Sequence, residues 1–542
     1  MTVFNLSKNR SLPRITGHNI RKVGSVSGGN ATTDFANRLR SNRWTSTGAS
    51  SMTVTNTIHW VNTRQIRGTN SAYLEYLIVA AGGGGGCDMG GGGGGGGVYN
   101  FTTSDPLINT ATSETLNVSV GGGGGGGGPG TNGPRGGDGG SSSITGTSIN
   151  LTATGGGGGA SDHDTNSYPA GNGGCGGGGS GGRYSAGNYG GAAGSGIAGQ
   201  GYSGQWSYYA WYPGGGGGAS QAGFWVPAGG GKGRFSNIVG AAHHWGGGGG
   251  GAGYSGSGGD GGIGGGGAGA VGGPVGGGRA LNAGANSFGG GTNTWANTPG
   301  SPAGANTGGG GGGGAHYQSN NQGGQGGTGI VVVRYYANTG TSRPGDGRTQ
   351  TTPGVSAWQI LQDFPESKDG IYWIQMGSGV YGVYCDMTTD GGGWMRVMNG
   401  GNTGGVQLAG ITAAVGNPAT ERGKYSDSDI NWLIQNTSPS YKVFRMRVGA
   451  GVDYFFCDAD WNSNTPSSTA DMPNGWNTYA DYLANPIGPA SYSGGQQSSN
   501  YTYPVLGSYA GWGNQMMSPM SPSRDAFYGP SGDTNDGEIY LR

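Results

Sequence analysis

The chain has 542 residues, 137 of them glycine, with 32% hydrophobic and 10% charged residues and a formal net charge of zero. That length predicts several domains, and so little apolar side chain excludes a conventional oily core running through all of them. The neutral total hides an asymmetry, because residues 1–70 hold ten of the 27 Lys and Arg against a single acid, Asp34. Such a basic arm suits docking on an acidic partner, or it is simply solvated.

The opening MTVFNLSKNRSLPRITGHNIRKVG lacks the apolar h-region of a secretory signal. No stretch approaches the ~20 apolar residues of a membrane span. Asp34 near one end and Arg38, Arg40 and Arg43 towards the other suggest a short helix over residues 33–44. Residues 52–61 (MTVTNTIHWV) alternate enough for a strand. Residues 1–70 are therefore expected to be an attachment arm that orders on its partner.

Residues 73–81 (YLEYLIVAA) are a continuous apolar run of the kind a buried strand needs, and residues 329–336 (GIVVVRYY) are its counterpart. Pairing of these two would close one domain over residues 71–337, with further strands at 99–103, 116–120 and 149–154. Between them lie glycine blocks such as 90–97, 121–128, 246–251 and 308–314. Composition alone reads as disorder. The tryptophans that punctuate the blocks, and the apolar strands that flank them, argue against it. Ordering each glycine costs about 1–2 kcal/mol, so something repetitive must offset that cost. Without a Cβ, extended polyproline-II-like strands can pack side by side and satisfy each other's backbone groups. An eight-glycine run would span ~25 Å at that rise, gathering the loops at two ends. The strict G-X-Y period and high proline of collagen are missing.

The segments 161–172, 201–213, 220–228, 232–245, 292–299 and 315–322 mix aromatic residues with Ser, Asn and Gly, the composition of rigid recognition surfaces. The candidate receptor-binding residues are Trp206, Tyr208, Tyr209, Trp211, Tyr212, Phe224, Trp225, His243, His244, Trp245, Trp295, His316 and Tyr317. Sugar rings and outer-membrane protein loops are both compatible with them. The alternative is that several of these aromatics cap the bundle and are buried.

The entry strand YLEYLIVAAGGGGG, the long glycine blocks and the exit GTGIVVVRY resemble the glycine-rich domain of phage tail-fibre proteins. The runs also resemble the distal adhesins of T-even-type phages, which implies stacked polyglycine II helices displaying variable loops. No residue-level receptor contacts carry over.

Residues 338–355 read as a linker. Beyond them, the segment 370–394, with VYCDMTTDGGGW, is similar to the opening of fibrinogen-like domains; YSDSDINWLI (425–434) resembles a following helix, and GEIYLR resembles their last strand. The resemblance implies an α+β domain over residues 356–542. The cysteine that usually precedes this pattern is missing at Ser356-Ala357-Trp358, so Cys385 is expected to be unpaired. Lectins of that family often use calcium, and Asp525, Asp533, Asp536 and Glu538 would supply the oxygen ligands that Ca2+ favours. Their spacing is not an EF-hand loop.

Four scattered cysteines, Cys87, Cys175, Cys385 and Cys457, suit neither a disulfide scaffold nor a zinc site. His243-His244 and Asp162-His163-Asp164 lack further ligands at metal spacing, and neither a P-loop nor a nucleophile elbow follows the glycines. The fold class expected is mainly β and irregular: a polyglycine-II-like bundle on a small β-base, then an α+β fibrinogen-like domain. The function expected is a non-enzymatic tail-fibre adhesin, made in a host cytoplasm and carried on the virion. It would attach to a fibre or baseplate protein through residues 1–70 and bind host glycan or outer-membrane protein. A homo-oligomer such as a trimer, no membrane span and no nucleic acid complete the expectation. A capsid or tail decoration protein is the alternative, and a glycan-cleaving enzyme a third.

Overall fold

A computed structural model describes residues 22–34, 39–57, 74–100, 113–129, 133–147, 149–162, 168–182, 190–207, 213–225, 228–241, 243–253, 258–271, 274–287, 298–316, 321–336, 345–364, 366–377, 379–399, 413–421, 423–437, 443–448, 451–456, 503–504, 515–517 and 537–542. Strands β1 (Lys22–Ser27), β2 (Ala31–Asp34), β3 (Leu39–Trp44) and β4 (Gly48–Thr57) come from the basic arm. Then follow β5 (Leu74–Val79), β6 (Val98–Asn100), β7 (Ser113–Val120), β8 (Ser142–Thr145) and β9 (Asn150–Ala153). The hairpin β10 (Arg234–Ser236) and β11 (His243–Trp245) and the closing β12 (Ile330–Tyr336) come much later.

These strands build two antiparallel sheets, β1-β4-β7-β8-β9 and β2-β3-β12-β5-β6. The entry and exit strands pair as expected, in the register Ile330↔Val79 to Tyr335↔Leu74. Two expectations for the arm are corrected. The described residues 33–34 and 39–44 are strand and not helix, because β3 pairs along the apolar β12 (Val331↔Trp44) and β2 folds back on β3; that pairing outweighs the local charge pattern. Nor does the domain begin at residue 71, since β1 to β4 complete both sheets. Residues 1–21 and 58–61 lie outside the described residues.

The sheet containing β5 and β12 is buried on both faces, which explains its unbroken apolar strands. Leu74, Tyr76, Ile78, Val331 and Val333 pack with Met52, Val54, Leu116 and Val118 of the other sheet. Leu77, Val79, Ile330 and Val332 pack on the opposite side with Val98, Cys175 and Trp245. On that side Glu75 and Arg334, directly opposed in the ladder, form a fully buried ion pair at 2.7 Å. Arg334 also donates to the carbonyls of Asn237 and Thr437, which supplies the extra hydrogen bonds that a buried pair needs to offset desolvation.

From this base the glycine runs project and return. The run 80–86 shows the rule. Gly82 and Gly85 donate to Gly327 and Gly324, Gly83 and Gly86 to Gly94 and Gly91, and Ala81 and Gly84 to Gly140 and Gly137, at 2.9–3.0 Å. Its carbonyls accept with the same spacing from Gly124 and Gly127, Gly311 and Gly314, and Gly156 and Gly159. A helix of three residues per turn thus addresses a different neighbour with each successive residue and returns to the first after three. Six neighbours surround it, and no β-ladder forms. None of the glycines in 82–86 or 91–97 has positive φ, so glycine is required here for close approach and not for its backbone freedom. A Cβ on Gly86 would stand 1.8 Å from the Ala160 carbonyl oxygen, and one on Gly85 1.9 Å from that of Gly312.

Runs at the periphery need glycine only where they face inward. In 133–138, Gly133 and Gly136 are buried while Arg135 and Asp138, three apart, pair outward at 2.7 Å. That hydrogen bond holds the Asp138 carboxyl below its ordinary value against the opposing effect of burial. In 299–304 the amides of Gly300 and Ala303 donate to Gln322 and Gln325, and those of Ser301 and Gly304 to Ala268 and Gly265. The third amide position belongs to Pro299 and Pro302, which have no N–H to satisfy. A three-residue bonding period therefore runs along the surface of the bundle too, without the strict G-X-Y sequence of collagen.

The C-terminal domain starts at helix α1 (Ala357–Asp363), capped by the Ser356 side chain. Strands β13 (Gly370–Met376), β14 (Gly379–Asp386), β15 (Trp394–Asn399), β16 (Val415–Gly416) and β17 (Gly423–Lys424) follow. Helix α2 (Asp427–Asn436), capped by Ser426, precedes β18 (Val443–Val448) and β19 (Gly451–Phe456). A separate parallel pair, β20 (Tyr503–Pro504) and β21 (Gln515–Met517), and the last strand β22 (Gly537–Leu541) complete it. The sheet order is β13-β14-β15-β22-β18-β19, so the chain's final strand lies inside the sheet. Helix and last strand fall where the sequence placed them.

The motif 382–394 is a folding device. Asp386 Oδ1 accepts from the amides of Thr388 and Thr389, and Oδ2 accepts from Arg445 at 2.6 Å. Asp390, Gly391, Gly392 and Gly393 all have positive φ; a Cβ on Gly392 would stand 2.0 Å from the Met387 carbonyl oxygen. The turn delivers Trp394, whose indole N–H donates to the Thr389 carbonyl and whose ring lies 4.9 Å from the Arg445 guanidinium and 5.2 Å from that of Arg542. Cys87, Cys175 and Cys385 are all buried free thiols; burial pushes that of Cys175 up to about 12.

Two outcomes follow. Gly311→Ala, whose Cβ would lie 2.1 Å from the Gly324 carbonyl oxygen, is expected to cost on the order of 3 kcal/mol or more by overpacking against backbone. Gly278→Ala, with nothing within 4 Å, is expected to leave the thermal midpoint within a degree or two, on the order of ±0.5 kcal/mol; circular dichroism melts compare them. In the C-terminal domain, burial would raise the Asp386 carboxyl, but the Thr389 and Arg445 hydrogen bonds hold it below its usual 3.8. Its contribution is thus complete above about pH 4 and is lost as pH falls through the lowered folded value. Asp386→Asn should destabilise the domain by about 3 kcal/mol at neutral pH and flatten its acid unfolding, read by Trp394 fluorescence.

A candidate binding face at the far end of the glycine bundle

Run direction decides where each loop falls. The chain leaves the sheets at Ala80, turns at Cys87, Asp88 and Met89, and returns to β6 at Val98. Later runs are tied to these by the same ladder of bonds. Gly179 donates to Gln205, Gly214 to Gly179, and Gly217 to Gly176, so 201–207 rises away from the sheets and 213–218 descends. Likewise Gly215 donates to Phe224 and Gly218 to Gln221, which makes 221–225 rise. Ala315 donates to Thr298, and Ser287 to Pro274. The described ends at Ser207 and Pro213, Ser287 and Thr298, and His316 and Asn321 therefore all lie at the end remote from the sheets.

The middle of that far face is polar and closed. Asp88 and His316 pair at 2.9 Å, both with almost no exposure. The Ser161 hydroxyl accepts from the Cys87 amide and donates to the Pro134 carbonyl, and the Asp162 amide donates to the Asp88 carbonyl. Burial raises the Cys87 thiol. These bonds join the tips of separate runs.

Aromatic side chains stand around it. Trp206 is 73% exposed and Trp225 49%. Both flank one run, since the Gln205 amide donates to Gly215 and the Gly215 amide to Phe224, at 2.9 and 3.0 Å. Phe224 is half-buried beside Trp225. Tyr168, absent from the sequence-derived set, is 41% exposed and bridges Ser161; its position after the Asp162-His163-Asp164 cluster was the available signal.

Other candidates are corrected. His243, His244 and Trp245 form β11 at the sheet end, not the far face. Trp245 is fully buried in the apolar layer beneath β5 and β12, and His244 is buried edge-on to Phe235 at 5.7 Å. Burial, and then the Arg43 charge, push the half-buried His243 below its ordinary value. His316 is at the far face but buried against Asp88. Tyr208, Tyr209, Trp211, Tyr212, Trp295 and Tyr317 lie outside the described residues, as do Asp525, Asp533 and Asp536. Glu538, proposed as a calcium ligand, is instead paired with Arg396, and its other oxygen accepts from the Tyr540 hydroxyl at 3.0 Å. Among the described residues, no three His, Cys, Asp or Glu side chains converge as metal ligands. Among them, too, no helix is long and apolar enough to cross a membrane.

Residues 62–271 match the family described as a glycine-rich domain. The bundle continues past that match to Gly329 and begins its sheets before it. Among solved structures, the chain is similar to the fibrinogen-like globe domain of human ANGPTL6, with 17% identity, 38% of this chain and 98% of that chain covered, and a TM-score of 0.20. For the fibrinogen-like globe domain of human ANGPTL2 the identity is 16%, the coverage 35% and 99%, and the TM-score 0.19. The chain thus carries a glycine-rich domain and has a weak structural similarity to fibrinogen-like globe domains.

Proposed function

We propose that the protein is a phage tail-fibre adhesin whose far bundle face meets the host surface. The observation that carries this reading is the exposure of Trp206 and Trp225 on either side of one rigid run, at the same end of the bundle. Large exposed aromatics on a backbone that loses little entropy on binding are the residues that dominate recognition. Many copies on one particle would multiply a weak single contact. The virion would hold the opposite end, where strands β1 to β4 are already built into the sheets. The C-terminal domain docks at that same end, through Arg334 with the Thr437 carbonyl and through Trp358 within the sandwich core. That placement favours a supporting role for it, with the far face as the host-binding surface. The ligand is a host glycan or outer-membrane protein.

Phage particles carrying Trp206→Ala and Trp225→Ala should adsorb to host cells at least about tenfold more slowly, the effect of ~1.4 kcal/mol. The purified variant should keep its circular dichroism spectrum and a melting midpoint within a few degrees, because both side chains are exposed. Undiminished adsorption by the double variant would remove the far face from the reading.

A further inference from the structure

Two glycines of the run 121–128, Gly122 and Gly125, do not fit the rule that the rest of the bundle obeys. Interior runs such as 91–97 are glycine throughout because they have neighbours on all sides, and peripheral runs carry side chains at their outward positions. The run 121–128 is peripheral: Gly121, Gly124 and Gly127 are buried, whereas Gly122, Gly125 and Gly126 are exposed. A Cβ on Gly122 or Gly125 would meet nothing within 4 Å. Glycine is nonetheless present at both positions, each costing backbone entropy that alanine would save.

The hydrogen bonds of this run are also incomplete. On its inner side Gly124 and Gly127 donate to Gly82 and Gly85, and its carbonyls accept from Gly137 and Gly140 and from Gly323, Gly326 and Gly329. The amides of Gly122, Gly123, Gly125 and Gly126 and the carbonyls of Gly123 and Gly126 have no partner among the described residues. Alongside lies an open groove of about 510 Å³ lined by Gly125, Gly126, Pro299, Pro302, Gln322 and Gln325. An unpaired extended edge with no side chain to block it is a template for another extended chain.

We propose that copies of this chain associate through the run 121–128, each run bonding to the same run of the next copy. The run offers donors and acceptors that have no partner among the described residues, at the three-residue spacing that its inner side already uses. The same run on another copy is therefore complementary to it, and the contact continues the packing of the bundle. No charged side chain stands in the run to oppose it. These donors and acceptors lie on different faces, so the contact is heterologous, and it closes when three runs meet around an axis parallel to the bundle. The geometry points to a trimer.

Light scattering on the purified full chain tests this. The expected result is a threefold mass for the wild type and for Gly278→Glu, an open glycine remote from the run, and a single-chain mass for Gly122→Glu/Gly125→Glu with an unchanged circular dichroism spectrum. A monomeric wild type, or a double variant that remains trimeric, overturns the proposal. Amide exchange of the wild type is an independent check that needs no variant. Slow exchange at Gly122 and Gly125 agrees with the contact, and exchange at unprotected rates contradicts it.

Discussion

The structure depends on one close approach: the carbonyl oxygen of one glycine run sits where a Cβ of its neighbour would be. From that follow the three-residue bonding period, the six neighbours of an interior run and the exclusion of side chains from the interior. A hydrophobic core stabilises by removing apolar area from water. This bundle has little such area, and its interior is backbone paired with backbone. Each bond contributes only about 1 kcal/mol net, against a comparable cost of fixing each glycine. The bundle therefore needs an anchor, and the two-sheet base supplies one by burying Leu, Ile and Val side chains at about 1.5–3 kcal/mol each.

That division explains where side chains can do chemistry. Interior runs have no room for them, so every functional group must sit on an outward position of a peripheral run or in a turn at either end. Turns at the sheet end are recruited into packing, as Trp245 and His244 are. Turns at the far end meet no sheet, and there Trp206 and Trp225 remain exposed. The scaffold itself thus sorts aromatics of similar sequence context into structural and surface roles.

Much of this was legible in the sequence. The apolar runs around Leu77 and Val332 predicted the pairing that closes the domain, and the lone Glu75 and Arg334 within them are the pair that the antiparallel register opposes. The helix over 425–434 and the final strand at 537–541 were also readable, as was the free Cys385. What was not legible depended on tertiary partners. Residues 39–44 became a strand because β12 had an open edge, which their charge pattern does not reveal. Whether a loop such as 232–245 or 201–213 turns at the sheets or away from them depends on how many runs precede it. Counting turns among uninterrupted glycines offers no landmark, so His243 and Trp206 looked alike. Glycine at every third position in 133–140 was a usable sign of a peripheral run, obscured because interior runs satisfy the same period trivially.

Amide hydrogen exchange of the intact chain tests the central claim most directly. A bonded glycine bundle predicts that the amides of residues 82–86, 91–97 and 308–314 exchange as slowly as those of strands β5 and β12. Exchange of those glycines at the rates of an unfolded peptide, while the strands remain protected, would contradict the account and leave only the base as ordered structure.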